Sequence, residues 1–282
     1  VIDQSNNFFM IVSVIGFGHV GSVVGSVLAD RGCKVYGIDK NIDLITSFKK
    51  GLSPINEPGL QKLITNGLEK KKLIITDSLE SISKSKMIII TVGTPLNKKY
   101  LPNLTYLKAA CNEIKKLIKP GHMICVKSTV PPGTTRKIIY KILGSKKNID
   151  LAFTPERFSE GTAIKEFKSL SIVVGGVTER ATNKVANFWN KFLNTKIIKV
   201  VNCETAEYVK IATNAWIDLN IGFANDLARL AGKLNSKIDI LDVSKSSNSL
   251  KKGERYVNIL LPSIGVGGSC LTKDPWFIYS MG

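Results

Sequence analysis

The segment Ile11-Val12-Ser13-Val14-Ile15-Gly16-Phe17-Gly18-His19-Val20-Gly21 decides the fold of this chain. Its first five residues are a β-branched run typical of a buried strand, and the GxGxxG spacing then opens an amphipathic helix. In that context the glycines allow a tight turn and let the phosphates of a ligand approach the backbone closely. Asp39 ends the next predicted strand, where a carboxylate accepts ribose hydroxyls and repels a 2′-phosphate, a preference that Lys40 weakens. The segment therefore predicts an NAD site whose contacts include Gly16, Gly18, His19, Val20, Gly21, Asp39 and Lys40.

Short β-branched runs alternate with amphipathic stretches from residue 10 onward, as in a parallel sheet wound with helices. The predicted strands cover 11–15, 34–38, 73–76, 87–92, 123–127, 151–153, 171–174 and 196–200. The predicted helices cover 20–31, 44–50, 60–66, 106–117, 134–143 and 179–192.

One long helix is predicted over residues 203–234, because no proline interrupts the segment and apolar residues recur at helical spacing. A helix of about 30 residues exceeds the usual globular length, so we expect it to leave the first domain and pack against a second domain or a partner subunit. The predicted domains are a tail at 1–9, a dinucleotide-binding α/β domain at 10–200, and the long helix with a helical region at 201–282. The apolar positions of the helix are Tyr208, Ile211, Ala215, Leu219, Phe223, Leu227 and Leu230.

The composition restricts the possible partners and compartments. The net charge is +18, but the lysines are scattered and no aromatic-interleaved basic stripe accompanies them, which favours a solvated surface over a groove for nucleic acid. The five cysteines are odd in number and contain no CxxC pair, so neither a disulfide framework nor a metal site is indicated. No apolar run approaches the ~20 residues of a membrane span. We expect a cytoplasmic protein without membrane or nucleic-acid partners.

A cysteine at the end of a glycine-rich loop indicates covalent chemistry. Gly265-Val266-Gly267-Gly268-Ser269-Cys270 is followed by Lys273 and Asp274, a cation and a carboxylate that can activate a thiol. Together with a dinucleotide loop, these residues suggest an oxidation through a thiohemiacetal and a thioester. The alternative for the cysteine alone is a buried structural thiol.

Two further loops follow predicted strands at the edge where open parallel sheets bind ligands. They are Gly93-Thr94-Pro95 and the segment 128–133, which contains Thr129. Each is either a cofactor contact or a proline-shaped turn with a capping hydroxyl.

Three residue pairs share a spacing of four: Glu156 with Glu160, Lys210 with Asn214, and Cys270 with Asp274. This spacing puts two side chains on one face of a helix. Together with the other motifs, these pairs occur in the same order as in the UDP-sugar 6-dehydrogenase family, which the chain therefore resembles. Members of that family oxidise the C6 alcohol of a UDP-sugar to a carboxylate with two NAD⁺. The motifs are GxGxxG, Val92–Pro95, Ser128–Pro131, Pro155-Glu156 with Glu160-Gly161, Glu207–Lys210 with Asn214, and Gly267–Cys270.

The resemblance runs from about Met10 to Trp276 and implies a Rossmann-type doubly wound sheet, a long central helix and a mostly helical middle domain. It implies UDP-glucose or a UDP-N-acetylhexosamine as substrate, with a slight preference for the latter, and a product used as a polysaccharide precursor. A homodimer through the long helix is the expected assembly. The third α/β domain of the family, which binds UDP, is expected to be absent because the chain stops at Gly282. We therefore expect a fragment or a natural truncation.

The resemblance assigns the covalent chemistry to three residues. Cys270 would attack the aldehyde to give a thiohemiacetal, whose oxidation by a second NAD⁺ leaves a thioester for water to hydrolyse. Lys210 and Asn214 would donate to the alkoxide or oxyanion as its charge develops.

The remaining matching residues would move protons or hold ligands. Asp274, with Thr129 and a held water, would manage the proton of the first oxidation, and Glu160 would activate the hydrolytic water. Glu156 would position the substrate or that water, and Lys273 would lower the thiol pKa or neutralise nearby charge. Predicted substrate contacts are Glu156, Arg157, Phe158, Lys210, Asn214 and Gly267, and further NAD contacts are Thr94, Thr129, Glu160 and Lys273.

Two other functions remain open from the sequence. A single-step β-hydroxyacid dehydrogenase shares the cofactor domain, the long helix and a lysine and asparagine four apart, but it lacks the thiol step. The chain could also be a non-catalytic NAD-binding or dimerisation fragment. The only histidines are His19 and His122, and neither is well placed as the base that a 2-hydroxyacid dehydrogenase uses.

Overall fold

The computed structural model describes residues 10–144, 147–234, 237–268 and 270–281. The predicted tail at 1–9 lies outside the described residues.

The chain divides into two compact units. The first unit comprises the chain up to Pro95 together with Pro102–Lys210, and the second comprises Leu96–Leu101 and the chain from Ile211 onward. The division falls inside the long helix, after the boundary predicted at residue 200, which stays a prediction.

The first unit is built on one eight-stranded sheet. Its strands are β1 (Ile11–Ile15), β2 (Lys34–Ile38), β3 (Leu73–Thr76), β4 (Met87–Ile90), β5 (Met123–Val126), β6 (Asp150–Phe153), β7 (Ile172–Gly176) and β8 (Ile197–Lys199). Their order is β3-β2-β1-β4-β5-β6-β7-β8, and β1 to β6 are parallel. This confirms the predicted doubly wound sheet, and the register pairs Ile15 with both Ile38 and Ile90. The carboxyl ends of β2, β1 and β4 therefore meet at one edge.

The sheet is mixed, because β7 runs antiparallel to β6 and β8 is parallel to β7. The predicted parallel arrangement therefore does not extend to the last two strands. A parallel return to the sheet requires a crossover of about a dozen residues or more, usually helical. Here β6 is followed by a loop at 154–162 and the seven-residue helix α6 (Ala163–Ser169). The chain then enters β7 from the sheet edge at which β6 ends, so the two strands are antiparallel.

Both faces of the sheet are buried, as a continuous apolar strand requires. On β4, Met87 and Ile89 belong to one apolar cluster, whereas Ile88 and Ile90 belong to a second cluster, and none of the four is exposed. The helices of the first unit are α1 (His19–Asp30), α2 (Ile42–Lys49), α3 (Leu60–Glu69), α4 (Thr105–Lys115), α5 (Tyr140–Leu143), α6 and α7 (Glu179–Leu193), with a 3₁₀ helix at Glu80–Lys84.

The helix predicted at 134–143 begins as a π-helical turn, Thr135–Ile139, before it continues as α5. The fully buried carboxylate of Glu207 accepts hydrogen bonds from the N–H groups of Gly133 (2.5 Å) and Thr135 (2.7 Å). Burial raises the pKa of the Glu207 carboxyl to about 7, against the effect of these donors. Glu207 thus caps a helix remote in sequence and holds the end of the loop that carries Thr129.

The predicted long helix is confirmed as α8 (Cys203–Lys233). The second unit was predicted only as a mostly helical region, without bounds, and it contains two short helices, α9 (Ile240–Asn248) and α10 (Asp274–Tyr279). It also contains a hairpin that the sequence did not predict, of β9 (Lys251–Lys252) with β10 (Arg255–Tyr256). Among the described residues, no helix is long and apolar enough to cross a membrane.

Side-chain amides hold the segment between β10 and the cysteine loop. Asn220 donates to the carbonyl of Asn258 (2.5 Å) and accepts from the N–H of Leu260 (3.1 Å). Asn248 of α9 exchanges two hydrogen bonds with the backbone of Ile259. The irregular backbone is therefore satisfied by side chains instead of by a sheet partner.

Candidate active site

The glycines of the loop after β1 have the geometry that the motif predicts. Gly16 has φ +87°, a conformation that L side chains rarely adopt. A Cβ atom at Gly21 would lie 2.0 Å from the carbonyl oxygen of Gly16, so only glycine allows α1 to pack this closely. A Cβ at Gly18 would meet no described atom within 4 Å. Gly18 is therefore open on the side where a ligand can approach.

The beginning of α1 can accept an anion. Gly18 is its N-cap residue and, among the described residues, no side chain caps the first turn. The first N–H groups of a helix carry partial positive charge and lack internal acceptors. The loop thus presents backbone donors to a pyrophosphate.

Asp39 lies at the carboxyl end of β2, and backbone donors hold its carboxylate in place. Oδ2 accepts from the N–H of Phe17 (2.6 Å), and Oδ1 accepts from those of Lys40 (2.8 Å) and Asn41 (3.0 Å). Each carboxylate oxygen has two lone pairs, so capacity remains for ribose hydroxyls.

A cavity of about 360 Å³ adjoins these residues. Lys40 lines it and forms an ion pair with Glu113, so the charge that could attract a 2′-phosphate is already matched. The cavity, the uncapped helix and the fixed carboxylate fit NAD better than NADP. Its lining includes Ile15, Gly16, Gly18, Ile38, Asp39, Lys40, Thr91, Val92, Gly93, Tyr106 and Glu113.

The two other predicted cofactor loops are tied together. The hydroxyl of Thr94 is buried and donates to the carbonyl oxygen of Thr129 at 2.6 Å. Thr94 therefore positions the Thr129 backbone, while a direct contact of either residue with NAD stays a prediction.

Glu156 is buried and its carboxylate has internal partners. Its Oε2 lies 2.9 Å from Nζ of Lys127, and its Oε1 accepts from the N–H groups of Arg157 (2.8 Å) and Phe158 (3.2 Å). Lys127 is 4% exposed, and its Nζ lies over the rings of Phe167 (5.5 Å) and Trp189 (5.3 Å). Glu156 thus holds the start of its loop, while its predicted contact with substrate stays a prediction.

Lys127 was missed because its sequence signal is weak. It is one lysine among many at the end of a strand, and periodicity does not show that its charge is buried.

The rest of this loop, defined here as the 156–161 loop, reaches the protein surface. Glu160 and Arg157 are exposed, so Glu160 is open to solvent as its predicted role requires. Phe158 packs edge to face against His19, with ring centroids 6.0 Å apart, and against Phe167. It is therefore half-buried between the dinucleotide loop and the core.

A second missed residue, Glu57, lies between α2 and α3 and is 5% exposed. Its Oε2 accepts from the N–H of Gly161 at 2.7 Å and lies 3.5 Å from Nε2 of His19. Its sequence signal is only a lone carboxylate before Pro58, and nothing in the spacing links it to residues more than 100 positions later.

In the second unit, two predicted catalytic residues meet. Asn214 of α8 donates from Nδ2 to Oδ2 of Asp274 at 2.6 Å, and Asp274 is fully buried. Nζ of Lys273 bonds the other oxygen of Asp274 at 2.6 Å and lies 4.3 Å from the ring centroid of Phe277. Lys273 therefore neutralises Asp274, and its contact with NAD stays a prediction.

Cys270 is the exposed thiol in the described part of the chain, and the four other cysteines are buried. Its carbonyl oxygen accepts from the N–H groups of Lys273 (3.0 Å) and Asp274 (2.8 Å), which fixes a turn before α10. Gly268 has φ +86° two residues earlier, and Gly267 beside it is exposed. Ser269 lies outside the described residues.

Lys210 is 9% exposed and lies one helical turn before Asn214 on α8. Because both residues lie within α8, their spacing of four places them on one face of that helix. Its role as a donor to the oxyanion stays a prediction.

Comparison with known proteins gives the family. Residues 10–193 match the NAD binding domain of the UDP-glucose/GDP-mannose dehydrogenase family, and residues 204–282 match its central domain. A UDP-N-acetyl-D-mannosamine dehydrogenase of Methanococcus maripaludis is 34% identical over 273 residues, which are 95% of this chain and 60% of that relative.

Solved structures agree with this match. A UDP-D-ManNAc dehydrogenase from Pyrococcus horikoshii has a TM-score of 0.88 at 33% identity, over 96% of this chain and 64% of that one. A UDP-glucose dehydrogenase from Pyrobaculum islandicum has a TM-score of 0.89 at 28% identity, over 100% of this chain and 66% of that one. The chain thus spans 60% to 66% of the length of these relatives.

The matches cover both units and confirm the resemblance inferred from the motifs. With the glycine loop and Asp39 placed as an NAD site requires, the chain belongs to the UDP-glucose/GDP-mannose dehydrogenase family and carries its NAD binding domain at residues 10–193.

Proposed function

We propose that this chain supplies the NAD-binding and catalytic parts of a UDP-sugar 6-dehydrogenase. The observation that carries the proposal is the second-unit cluster, in which Asn214 bonds a fully buried Asp274 one turn after an exposed Cys270. A single-step dehydrogenase has no use for an exposed thiol at this place. The chain's similarity to a UDP-N-acetyl-D-mannosamine dehydrogenase supports a UDP-N-acetylhexosamine as the first substrate to test, with UDP-glucose second.

The proposed reaction converts a C6 alcohol, two NAD⁺ and one water into a carboxylate, two NADH and three protons. NAD⁺ supplies the hydride acceptor in both oxidations. Asp274, with Thr129 and a water, takes the proton of the alcohol as the aldehyde forms. Asn214 and Lys210 hold the oxygen on which negative charge develops, which stabilises the transition state.

Cys270 then joins its sulfur to the aldehyde carbon, and the aldehyde oxygen becomes the hydroxyl of a thiohemiacetal. Loss of a second hydride to NAD⁺ and of that hydroxyl proton leaves a thioester, which water can hydrolyse because a thiolate leaves well from an acyl group. Glu160 takes a proton from the water that attacks the thioester carbon, and the C–S bond breaks to release the acid and the thiol. The product suits polysaccharide precursor synthesis.

The test is the stoichiometry of NADH to product. The purified protein is incubated with NAD⁺ and, separately, UDP-N-acetylmannosamine, UDP-N-acetylglucosamine and UDP-glucose. We expect two NADH per uronic acid with one of the N-acetylhexosamines. One NADH per product would indicate single-step oxidation, and no NADH with any of these sugars would favour a non-catalytic NAD-binding chain.

We further propose that two copies pair through α8. Trp216 (58% exposed), Leu219 (65%), Phe223 (50%) and Leu230 (54%) leave a large apolar surface along this helix. These residues recur at three- and four-residue steps with Phe223 and Leu230 seven apart, as on one helix face. Such a face suits a self-complementary twofold interface.

The double variant Leu219→Glu/Phe223→Glu should be monomeric by analytical ultracentrifugation. Arg229→Glu changes a charge on the same helix at an exposed position and should leave the dimer intact. A wild-type protein that sediments as a monomer at all concentrations would contradict the dimer.

The cytoplasm is the proposed compartment. The four buried cysteines are all free thiols, and the exposed Cys270 must stay reduced to act as a nucleophile.

A further inference from the structure

Glu57 contacts two functional loops with one oxygen atom. Its Oε2 accepts the N–H of Gly161, the residue after Glu160, at 2.7 Å. The same atom lies 3.5 Å from Nε2 of His19, the first residue of α1. A single carboxylate thus lies between the end of the 156–161 loop and the start of the helix that receives the pyrophosphate.

This carboxylate is almost completely buried, with its side chain 1% exposed. Burial of a charge costs free energy unless hydrogen bonds or an opposite charge compensate for it. The backbone around Glu57 is itself anchored, because its carbonyl accepts the N–H of Leu60 at 3.0 Å as α3 begins. Glu57 is therefore a fixed acceptor that is well suited to hold the end of another segment.

Side chains hold the 156–161 loop, and one of them is Glu166, whose Oε2 accepts the N–H of Ser159 at 2.7 Å. The loop has neither helix nor strand, and its first residue, Glu156, is held by the buried Lys127 at 2.9 Å. At the other end, Gly161 has φ +86° and donates its N–H to Glu57. Lys127 and Glu57, two buried charged residues from distant segments, therefore fix the two ends of the loop. The exposed Glu160 immediately precedes Gly161 at the second of these ends.

We propose that Glu57 is a positioning residue for Glu160, acting through the Gly161 N–H; this inference rests on the proposed function. Glu160 must direct one carboxylate oxygen at the water that attacks the thioester. A displacement of about 1 Å in such a group can slow a step about 100-fold. Loss of the Glu57 acceptor should therefore slow hydrolysis, while both hydride transfers continue.

The contacts of His19 indicate how the loss of Glu57 should affect NAD binding. His19 packs against Phe158 as well as against Glu57, so the dinucleotide loop keeps one contact with the 156–161 loop when Glu57 is removed. We therefore expect NAD affinity to change far less than the hydrolytic step.

The experiment compares Glu57→Ala, which removes the acceptor, with Glu57→Gln, which keeps an amide oxygen for the Gly161 N–H. Glu69→Ala, an exposed change at the end of α3, is the matched control. Rapid mixing with NAD⁺ and the accepted UDP-sugar should give a burst of two NADH per Cys270 in Glu57→Ala. A steady phase should follow that is about 10- to 100-fold slower than wild type. Glu57→Gln should retain kcat within about threefold and Glu69→Ala should match wild type.

A double-mutant cycle separates positioning from general support of the fold. Glu160→Ala should show the same burst, and adding Glu57→Ala to it should cost almost nothing further, because coupled residues are not additive. Amide exchange at Gly161 should accelerate in Glu57→Ala and stay slow in Glu57→Gln.

Two results would overturn the inference alone: an unchanged kcat in Glu57→Ala, or a full additive loss in the Glu160→Ala background. Disappearance of the burst itself in Glu57→Ala would also count against it, since that places the defect before hydrolysis. Failure of the wild-type protein to reduce NAD⁺ with any UDP-sugar would overturn the proposed function and this inference together.

Discussion

The first unit buries its sheet between two apolar clusters, whereas the second unit holds its irregular segment 257–263 largely through hydrogen bonds from side chains to backbone. In the first unit, β4 is apolar on both faces and the ligand loops simply follow strand ends. In the second unit, Asn220, Asn248 and Ser244 satisfy the backbone that leads to the cysteine loop. Apolar packing therefore supports the sheet that carries the NAD site, whereas individual polar contacts hold the segment that leads to the cysteine loop.

The sharpest test of the first unit compares two glycines three residues apart. Gly21→Ala places a Cβ 2.0 Å from a carbonyl oxygen, so it should destabilise the fold by at least about 3 kcal/mol and abolish NAD binding. The added Cβ of Gly18→Ala would lie in open space, so this substitution should change the free energy of unfolding by less than about 0.5 kcal/mol. It should still weaken NAD binding by more than about tenfold, because the methyl group blocks the approach of the pyrophosphate. Urea unfolding and NAD titration measure both effects, and equal stability of the two variants would contradict the packing argument.

Asn220→Ala tests the hydrogen-bonded second unit. The change leaves the N–H of Leu260 and the carbonyl of Asn258 without their partner. It should therefore lower the free energy of unfolding by about 2 kcal/mol. Amide exchange at Leu260 should accelerate. Asn225→Ala, which removes one bond to the exposed Ser263, is the matched control and should cost less than half as much. Equal effects of the two changes would show that Asn220 has no special part in holding the segment.

A smaller effect concerns Glu207, which holds the end of the Thr129 loop. Burial raises the pKa of its carboxyl from 4.5 to about 7, so the folded state binds the proton more tightly than the unfolded state does. This contribution to stability is present in full below about pH 4.5 and falls as the pH rises towards 7. The unfolding free energy should change with pH by at most about 1.4 kcal/mol per pH unit because of this group.

Unfolding free energies of wild type and Glu207→Gln, measured between pH 4.5 and 7.5, isolate this slope. The variant cannot ionise at this position, so its profile should be flatter over that interval. Parallel profiles would exclude Glu207 as the titrating group.

The difference between the units also explains what the sequence could predict. The ends of β1, β2 and β3 and the span of α8 follow from apolar runs and from the lack of proline, and the structure confirms them. Asp39 follows from its spacing to the glycines. The reversal at β7 was missed because the direction of a strand depends on the path of its connection, which apolar periodicity does not encode.

Lys127, Glu57 and Asn220 were missed for a related reason. Each acts through contacts with residues that are remote in sequence, and neither residue type nor spacing marks it. α9 and α10 are short, with nine and six residues, so their sequences offer few turns in which a helical pattern can be recognised. The proposed catalytic residues, such as Cys270, were predicted instead through motifs in a fixed order.

Replacement of Cys270 is the most direct test of the proposal that this chain performs a thiol-dependent oxidation. Wild type and Cys270→Ser are each mixed with NAD⁺ and the accepted UDP-sugar, quenched in acid, and measured by intact mass. We predict a thioester adduct on the wild-type protein and two NADH per acid. The serine variant should bind NAD normally but form no adduct, and its rate of acid formation should fall by more than about 1,000-fold. Acid formation by Cys270→Ser at the wild-type rate would contradict the covalent mechanism.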